Sequence, residues 1–560
     1  MVSKKILAAF IGTSCIISTT TAMAQVPTTA DPGIILRDLE QGDRAPSRLE
    51  DTITYGEDAV SDKKLSQEKM FTLQSIQLKG STVYQQNTMN ELASEYIGQP
   101  VSFADLNTIA LNITRRYRND GYMFSRVILP PQEIENGIIT LQAIEGKLTD
   151  VEVVGDFKDH NDLIKNMAQK IQSEGPTNSE ELERYLLLID DLPGIKARSL
   201  IQPSKTPGGG KLIITIEQDG FEGSAGIDNR GSKYFGRTRG TLVGAANSLF
   251  GIHDRTTGRV IVTKDTEELR FFDITHEEQI GTEGTRLKAR YAVTDTEPGS
   301  SLKPNDVEGD SESFELEALH PLIRGRQLNL NILGKFTALN SESEILGIEV
   351  SEDRVRYFTV GGRFDFTDSL AGVTQVDFGV SKGVDWLNAT DDGLGRTRSN
   401  GEHEFWRANV NAIRLQDLPG DFSMQLSADA QYSPDPLLAS QEFAVGGAAF
   451  GRAYDSGEIS GDRGIAGAIE LRYGGPVESE YLNSYQVYTF YDVGKVWNEE
   501  TLVAEQDHES LASAGVGVRM NFAKDISGYL ELNHPLTRDV AAEGDDGDNP
   551  RIFFSILKRF

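Results

Sequence analysis

Two stretches of the 560-residue chain contain residue types that could do chemistry. Gly208-Gly209-Gly210-Lys211 has the composition of a phosphate loop, but Leu212 follows the lysine where a nucleotide site needs Ser or Thr. His276-Glu277-Glu278-Gln279 lacks the second histidine of the H-E-x-x-H zinc motif. Neither stretch predicts catalysis, so we expect neither an enzyme nor a cofactor.

A third stretch, residues 543–549, is rich in the carboxylates that calcium prefers. It lacks the spacing of a defined calcium loop, so the sequence favours a solvated acidic loop and no metal site. The whole chain has a net charge of −30. This charge argues against a nucleic-acid partner, because phosphate binding needs a basic surface.

The two ends of the chain predict export and a membrane. Lys4-Lys5, an apolar run over 6–17 and Ala22-Met23-Ala24 form the pattern of a secretory signal that ends at residue 24. Near the other end, alternate residues 552, 554 and 556 are apolar, and the last residue is Phe560. A transmembrane β-strand needs such alternation and an interfacial aromatic residue. We therefore expect an exported protein that forms an outer-membrane β-barrel.

Composition favours strands over helices as the membrane-spanning elements. Only 38% of the residues are hydrophobic, and the mean hydropathy is −0.35. A helical membrane protein needs runs of about 20 apolar residues, and none follows the signal. The only cysteine, Cys15, lies within the signal, so the mature chain is expected to have neither disulfides nor a cysteine-ligated metal site.

The residues from about 220 to 560 predict the barrel itself. Leu328, Leu330 and Ile332 alternate with polar residues, and turns rich in Gly, Asp, Ser and Asn separate such segments. About 340 residues at about 21 per strand and turn give an antiparallel barrel of about 16 strands. A soluble β-sandwich array is the alternative, but its strands would not show one polar face throughout.

Before the barrel, the sequence predicts an α+β region of two modules, 70–147 and 148–219, each in the order β-α-α-β-β. A linker over 46–69 separates them from an N-terminal helix within 25–45. Asp31 is expected to cap that helix, because its carboxylate can accept from free amides and Pro32 is tolerated at the first helical position.

The first module resembles the POTRA domain of two-partner-secretion transporters, the TpsB family of the ShlB, FhaC and HecB type. The resemblance is carried by Ile113-Thr114-Arg115-Arg116-Tyr117, Gly121-Tyr122, residues 125–132 and Glu145-Gly146, in the family's order. It extends over nearly the whole mature chain and implies a member of the BamA-like superfamily of POTRA-plus-barrel proteins. Such a protein lies in the outer membrane of a Gram-negative bacterium, with its POTRA domains in the periplasm.

Two barrel motifs extend this resemblance. Phe450-Gly451-Arg452-Ala453-Tyr454 is similar to the family's Val-Arg-Gly-Tyr/Phe motif, at the tip of a loop folded into the pore. Phe490-Tyr491-Asp492-Val493-Gly494 is similar to its Phe-x-Asp-x-Gly strand motif. The resemblance implies that Arg452 meets Asp492 as a latch on the loop, with Tyr454 as a packing anchor. Phe490 and Gly494 complete the strand motif.

Two alternatives remain open at these motifs. The arginine–aspartate pair would otherwise be an ordinary ion pair that only rigidifies the barrel. Ala453 stands where the family has glycine, which puts a left-handed backbone conformation at that position in question.

The resemblance also assigns roles outside the pore. Tyr122, Arg126, Pro130 and Gln132 carry the POTRA signature and are candidate client-binding residues, although Tyr122 as a core residue and Pro130 as a strand terminator are favoured. Phe560 would be the signal read by the barrel-assembly machinery. The N-terminal helix would plug the pore at rest, or else dock on the periplasmic side.

The implied function is translocation of an unfolded exoprotein, captured by the POTRA domains and passed through the barrel without ATP in type V secretion. The expected partners are this client, outer-membrane lipid and lipopolysaccharide, with the transporter as a monomer. The alternative is a BamA-like insertase that assembles many barrel proteins. The sequence does not identify the client as an adhesin, a cytolysin or another exoprotein.

Overall fold

A computed structural model describes residues 26–41, 66–172, 175–206, 208–390, 395–501 and 506–560. The predicted secretory signal and the predicted linker as far as residue 65 lie outside these ranges. Over the described ranges, no helix has the length and apolar character needed to cross a bilayer.

The N-terminal helix, α1 (Pro32–Gln41), begins where the sequence predicts. The Ile34 amide donates to Asp31 Oδ1 at 3.0 Å, so this carboxylate caps a free end of the helix. Ile35, Leu36 and Leu39 are buried and lie on one face at helical spacing. The helix therefore packs against a larger body by one apolar side.

The first module is a three-stranded sheet with helices, plus a small two-stranded sheet. Its elements are β1 (Lys69–Thr72), β2 (Ser75–Lys79), α2 (Gln86–Leu92), β3 (Pro100–Ser102), α3 (Phe103–Asn119), β4 (Arg126–Ile128) and β5 (Ile138–Ile144). The alternation of residues over 71–78 predicts a single strand there, and this prediction is wrong, because the chain changes its pairing partner within that range. The Leu73 amide donates to Gln99 and the Gln74 amide donates to Gly137, which moves the pairing from β3 to β5.

The second module has the predicted order β-α-α-β-β, without the additional strands β1 and β3 of the first module, around one apolar core. Its elements are β6 (Lys147–Gly155), α4 (Leu163–Ile171), α5 (Ser179–Asp190), β7 (Ile195–Pro203) and β8 (Gly209–Gln218). The sheet order is β6-β8-β7, so β6 and β7 are the edge strands. Apolar residues of both helices meet alternate residues of β8, including Leu212 and Ile214.

The remaining chain closes into an antiparallel barrel of sixteen strands, which confirms the predicted fold. In chain order the strands are β9 (Phe221–Asp228), β10 (Arg239–Asn247), β11 (Arg255–Thr263), β12 (Arg270–Ile280), β13 (Thr285–Thr296), β14 (Val307–Arg324), β15 (Leu328–Ile345), β16 (Ile348–Thr367), β17 (Gly372–Gly383), β18 (Trp406–Asp417), β19 (Phe422–Tyr432), β20 (Phe443–Val445), β21 (Ile459–Gly461), β22 (Arg463–Pro476), β23 (Leu482–Trp497), β24 (His508–Phe522), β25 (Ile526–Pro535) and β26 (Arg551–Arg559). Strands β20 and β21 pair only with each other and stand outside the barrel order.

Alternation along each strand separates an apolar outer face from a polar lumen. On β14, Phe314 and Leu316 are exposed on the outside, whereas Ser311 and Ser313 are buried on the inside. Ser313 donates to Glu40 of α1, which identifies the inner side as the lumen that contains the helix. This is the pattern of a membrane barrel rather than of a sandwich, whose inner faces are apolar.

The barrel closes at a short seam between its first and last strands. Strands β9 and β26 are paired over five residues, whereas β25 and β26 are paired over eight. Beyond the ladder, the Asn229 side chain donates to Ile552 O at 2.8 Å and accepts from the Phe554 amide at 2.6 Å. The side-chain amide thus extends the pairing of β26 beyond the last paired residues of β9.

The second module docks against the barrel turns at one end. Arg324 donates two hydrogen bonds of 2.7 Å to the Asp191 carboxylate below α5. His253 Nε2 lies 3.0 Å from Asp159 Oδ1, at a different turn. These contacts define the module end of the barrel, and the β19–β22 connection lies at the opposite end.

Candidate functional site in the barrel lumen

The connection between β19 and β22, residues 433–462, folds back into the lumen and is called the lumenal loop. Its hairpin, β20–β21, places Phe443 and Val445 in a buried cluster with the barrel wall. Phe450 and Tyr454 join the same cluster from the loop tip. Apolar packing on the wall thus holds the loop in a lumen that is otherwise polar.

Arg452 at the loop tip binds Asp492 on β23. Arg452 Nη2 donates to Asp492 Oδ1 at 2.9 Å, and Arg452 Nε donates to Asp492 Oδ2 at 3.1 Å. The Arg452 amide also donates to Asp492 Oδ2, at 3.0 Å. Asp492 is 0% exposed and Arg452 is 6% exposed. The structure therefore brings together the two residues that the sequence comparison paired, in a two-pronged geometry that fits a guanidinium.

Two further wall residues complete the seat of Arg452. Its guanidinium carbon lies 3.5 Å from the centre of the Phe490 ring, and its Nη1 donates to Glu470 Oε2 at 2.5 Å. Glu470 also accepts from Arg472 and Arg519, each at 2.6 Å. Sequence reasoning missed Glu470, although its place between outward-facing Ile469 and Leu471 marks it as a charged lumenal residue.

The alanine at the loop tip does not require a left-handed backbone. Ala453 does not have a positive φ angle, whereas Gly451, directly before Arg452, has a φ angle of +78°. The glycine that permits the tight turn thus lies on the other side of the arginine. Tyr454 is buried, and its hydroxyl bonds to the carbonyls of Ala512 and Arg538, both at 3.1 Å.

Gly494 is a point of close approach between the wall and the lumenal loop. A Cβ atom at this position would lie 2.6 Å from Val445 Cγ1 of β20. Since real Cβ contacts are longer than this, a side chain at 494 would displace the hairpin.

Helix α1 also lies in the lumen, held by polar contacts at both ends. Glu40 accepts from Ser313 at 2.6 Å and pairs with Arg290 at 3.3 Å. Thr28, before the helix, donates to Gly457 O of the lumenal loop at 3.0 Å. Its buried face packs on residues that include Leu339, Val355, Leu437 and Leu438.

The four POTRA signature residues have different surroundings. Tyr122 packs at the edge of the first module's core, with its ring centre 6.2 Å from that of Tyr117. Arg126 is exposed on β4, and Pro130 follows the end of that strand. Gln132 bonds through its side-chain amide to both Thr140 O at 2.7 Å and Thr140 N at 2.8 Å. Gln132 thus occupies a backbone pairing position on β5.

Glu145, of the Glu145-Gly146 motif, organises the turn that follows β2. Burial alone would raise the pKa of Glu145, but hydrogen bonds from Thr82, Tyr117 and the Val83 amide outweigh it and hold the pKa below its ordinary value. The motif residue is therefore an ionised structural anchor within the first module.

The chain end and the acidic stretch lie at opposite ends of the barrel. Phe560 is exposed, and its amide donates to Gly223 O at 2.9 Å. Glu543 pairs with Arg237, with Arg551 at 3.7 Å and with Lys233 at 3.9 Å. Among the described residues, no group of three or more His, Cys, Asp or Glu side chains is arranged to hold a metal ion.

A family model of haemolysin secretion/activation proteins, ShlB/FhaC/HecB, matches residues 208–520, more than half of the chain. The chain belongs to this family. A model of the ShlB-type POTRA domain matches residues 71–146, the first module. The family places this protein in the outer membrane, with its POTRA modules in the periplasm, so the far end of the barrel faces the cell exterior.

Relatives span nearly the same length as this family member. The heme/hemopexin transporter protein HuxB of Haemophilus influenzae is 25% identical over 95% of both chains. The outer membrane transporter CdiB of Dickeya dadantii is 22% identical over 72% of both chains. The solved structure of CdiB from Escherichia coli matches with a TM-score of 0.74 at 20% identity, over 94% of this chain and 96% of that one. The protein is thus an outer-membrane transporter of the two-partner-secretion class.

Proposed function

We propose that this transporter carries one unfolded exoprotein from the periplasm through its barrel, with no ATP hydrolysis and no enzymatic step. The observation that carries the proposal is that two segments, α1 and the lumenal loop, fill the lumen yet are held there by side-chain contacts. Neither contributes a strand to the barrel ladder. Both can therefore move aside without breaking the hydrogen bonds that keep the barrel closed.

Arg452 and Asp492 act in this proposal as the latch of the lumenal loop. Breaking a buried ion pair by truncating one partner costs roughly 3–5 kcal/mol, because the other charge is left unpaired. Asp492 is fully buried, so its loss of a partner falls in this class. Arg452→Ala is therefore expected to shift the loop while the barrel stays closed.

Secretion by whole cells tests both the proposed transport and the role of Arg452 in the latch. Cells with the intact gene, a deletion, Arg452→Ala and the control Arg270→Ala, which removes a half-exposed pair with Asp295, are compared for surface and culture-fluid proteins. We expect the deletion and Arg452→Ala to lose one large secreted protein, and the control to keep it. Broad depletion of many barrel proteins in the deletion would instead identify an assembly insertase.

Folding of the client outside the cell would supply the driving force, because a folded client no longer exchanges with the periplasmic pool. The relatives are named for heme/hemopexin and hemolysin transport. We propose a client of this general kind, a large secreted protein. A client variant that cannot fold, yet is released at the normal rate, would contradict this source of energy.

We further propose that the client is captured as an added strand on β7 of the second module. The edges of the first module are occupied: the Val127 amide of β4 donates to Thr114 at 2.9 Å, and the Gln86 side chain bonds to Ile76 O and to the Leu78 amide on β2. On β7, the Ala197 amide donates outward to Asp190 at 2.8 Å. By alternation, Ser199 and Ile201 present their amides on the same side.

The outer end of β7 combines an open edge with an apolar side chain. No side chain of the described residues bonds to the backbone of residues 199–201, and Leu200 there is 52% exposed. Strand addition needs a free edge for backbone pairing and pockets or surfaces for alternate side chains. A Cβ at Gly194, before β7, would lie 2.7 Å from Asn247 Nδ2 at the end of β10, so the start of β7 lies beside the barrel.

Site-specific photo-crosslinking distinguishes the edges. A photoreactive residue at Leu200 is expected to capture the client in the periplasm, whereas one at Gln77 on β2, exposed in the same way, is not. Equal capture at both positions would contradict β7 as the binding edge. The remaining partners that we propose are outer-membrane lipid and lipopolysaccharide around a monomeric barrel, and the barrel-assembly machinery at Phe560.

A further inference from the structure

We infer that Arg398, Asp462 and Glu442, named here the root clamp, fix the outer end of the lumenal loop and close the outer mouth of the barrel. The inference rests on the proposed transport function and adds a second holding point to the latch at the loop tip. Arg398 lies in the β17–β18 connection, Asp462 is the last residue of the lumenal loop, and Glu442 directly precedes β20 within the loop.

The root clamp is centred on Asp462. Arg398 Nη1 donates to Asp462 Oδ1 at 2.8 Å and lies 3.0 Å from Glu442 Oε1. Asp462 Oδ1 also accepts from the Leu437 amide at 2.6 Å, and its Oδ2 accepts from the Glu499 amide at 2.8 Å. One carboxylate thus joins two outer connections to both ends of the lumenal loop.

Burial shows that these charges lie beneath the outer surface and not on it. Asp462 is 0% exposed, Arg398 is 3% exposed and Glu442 is 4% exposed. A buried charge is tolerated only when it is paired and hydrogen-bonded, and removing Arg398 takes away the cation that pairs with both Asp462 and Glu442. The loop ends and the β17–β18 connection would then separate.

The root clamp and the latch share no residue. Arg452 binds Asp492 and Glu470 on strands β23 and β22, whereas Arg398 binds groups at the outer ends of the loop. The loop therefore has two independent holding points, and each should be released by its own substitution. An exporter whose outer mouth must be closed at rest needs the holding point at the outer end of the loop, which is the root clamp.

The root clamp also lies beside the seat of the plug helix. Leu437, whose amide donates to Asp462, packs with Leu438 and Phe405 in the cluster that contains Leu36 of α1. Opening the clamp would loosen the outer wall of this seat. Arg398 is thus a positioning residue that acts through the loop and the plug.

A cysteine reporter in the lumen tests the seal directly. The chain has one natural cysteine, Cys15, within the predicted signal, so Ala444→Cys on β20 supplies a single reporter in the mature chain. Ala444 lines the lumenal cavity of about 480 Å³ beside α1. Whole cells without the client are treated with a bulky polyethylene glycol maleimide that reaches position 444 only through the outer mouth.

We expect the parent to be labelled slowly and Arg398→Ala to be labelled about tenfold faster or more. The reason is that loss of a buried ion pair lowers the ratio of closed to open barrels by at least about tenfold. Arg398→Lys should restore part of the protection, because it retains one charged contact with Asp462. Arg270→Ala should label like the parent. Heat-modifiable mobility on gels shows in each case that the barrel is folded.

Unchanged labelling in a folded Arg398→Ala barrel would overturn the root clamp. Because labelling is measured without a client, this result would not depend on whether the protein secretes one. Secretion is scored separately in the same strains. Loss of secretion in the deletion, with no change in labelling for Arg398→Ala, would leave the transport proposal standing and remove the clamp.

Discussion

At the scale of single residues, the lumenal contacts of Arg452 need an arginine and could not all be made by a lysine. Arg452 binds both oxygens of Asp492 and one of Glu470 while its flat face covers the Phe490 ring. A planar group with five donors can make all of these contacts at once, whereas an ammonium group cannot. The charge, the shape and the aromatic floor together fix the loop tip in one position.

Gly494 gives a prediction that leaves all charges in place. Gly494→Val is expected to push β20 off the wall, because even a Cβ would lie 2.6 Å from Val445. We expect secretion to fall severalfold while the barrel stays folded, since overpacking costs about 1–3 kcal/mol at the contact. Gly244→Ala on β10, where a Cβ meets nothing within 4 Å, is the matched control and should secrete normally.

Residue-level prediction from the sequence succeeded where a motif named both partners and failed where the partners came from different connections. Arg452 and Asp492 were paired through two motifs, and their contact is present. Asp462 gave no signal, because its partners are backbone amides and an arginine from segments far apart in the chain. Only the assembled loops show why this carboxylate is buried.

At the scale of elements, α1 contributes nothing to the strand order of the barrel and is held in the lumen by side-chain contacts. Its apolar face packs on the lumenal loop and the wall, and its own polar residues Arg37, Asp38 and Glu40 line a lumenal cavity. Ten residues make a helix that is marginal by itself in water. The barrel interior therefore both folds this element and retains it.

Glu40 is predicted to set how firmly α1 is retained. Glu40→Ala removes the contacts to Arg290 and Ser313, and a partly exposed pair of this kind contributes about 1 kcal/mol, or about fivefold in the plugged-to-open ratio. The open-channel fraction in planar bilayers should rise accordingly. Glu349→Ala, a carboxylate on the outer end of β16, should leave the conductance unchanged.

The start of α3 gives a prediction for pH. Hydrogen bonds from Lys69, and then from Ser102, lower the pKa of Asp105 to about 2. Because the folded-state pKa lies below the usual value of about 3.9, Asp105 stabilises the first module fully above pH ~4, and this contribution is lost between pH ~4 and ~2. Asp105→Asn should flatten the acid dependence of the module's unfolding, followed by circular dichroism. An unchanged slope would contradict the assignment.

The sequence predicted helices and strands correctly where a segment packs or pairs with one neighbour along its whole length. The helices of the second module and the alternation of the barrel follow from periodicity alone. The break between β1 and β2 did not, because it depends on two strands, β3 and β5, that approach from later in the chain. The retention of α1 in the lumen likewise depends on Arg290 and Ser313, which no local pattern connects to Glu40.

At the scale of the whole molecule, the second module is fixed to the barrel at several turns. Arg324 binds Asp191, Tyr185 donates to Glu283 at 3.0 Å, and His253 contacts Asp159. These contacts orient β7 so that its start lies beside β10. The second module and the barrel are thereby held in one fixed arrangement.

Arg324→Ala is predicted to loosen this joint. Its side chain is 10% exposed and donates twice to Asp191, so we expect a loss of roughly 2–3 kcal/mol at the interface. Limited proteolysis should cleave between the second module and the barrel faster, and secretion should slow. Lys165→Ala on α4 removes a largely exposed pair with Asp162 and should change neither. Equal cleavage of both variants would contradict a rigid joint.

The seam between β9 and β26 determines the order in which the barrel can be built. Apart from β19–β22 and this seam, the wall strands pair with the strand next in the chain, so their contacts form over short loops. Asn229 and Ile552 are 323 residues apart, and bringing them together carries the largest loop-closure entropy in the wall. We therefore expect closure to be the last step of folding, and the Asn229 amide adds two hydrogen bonds that form only in the correct register.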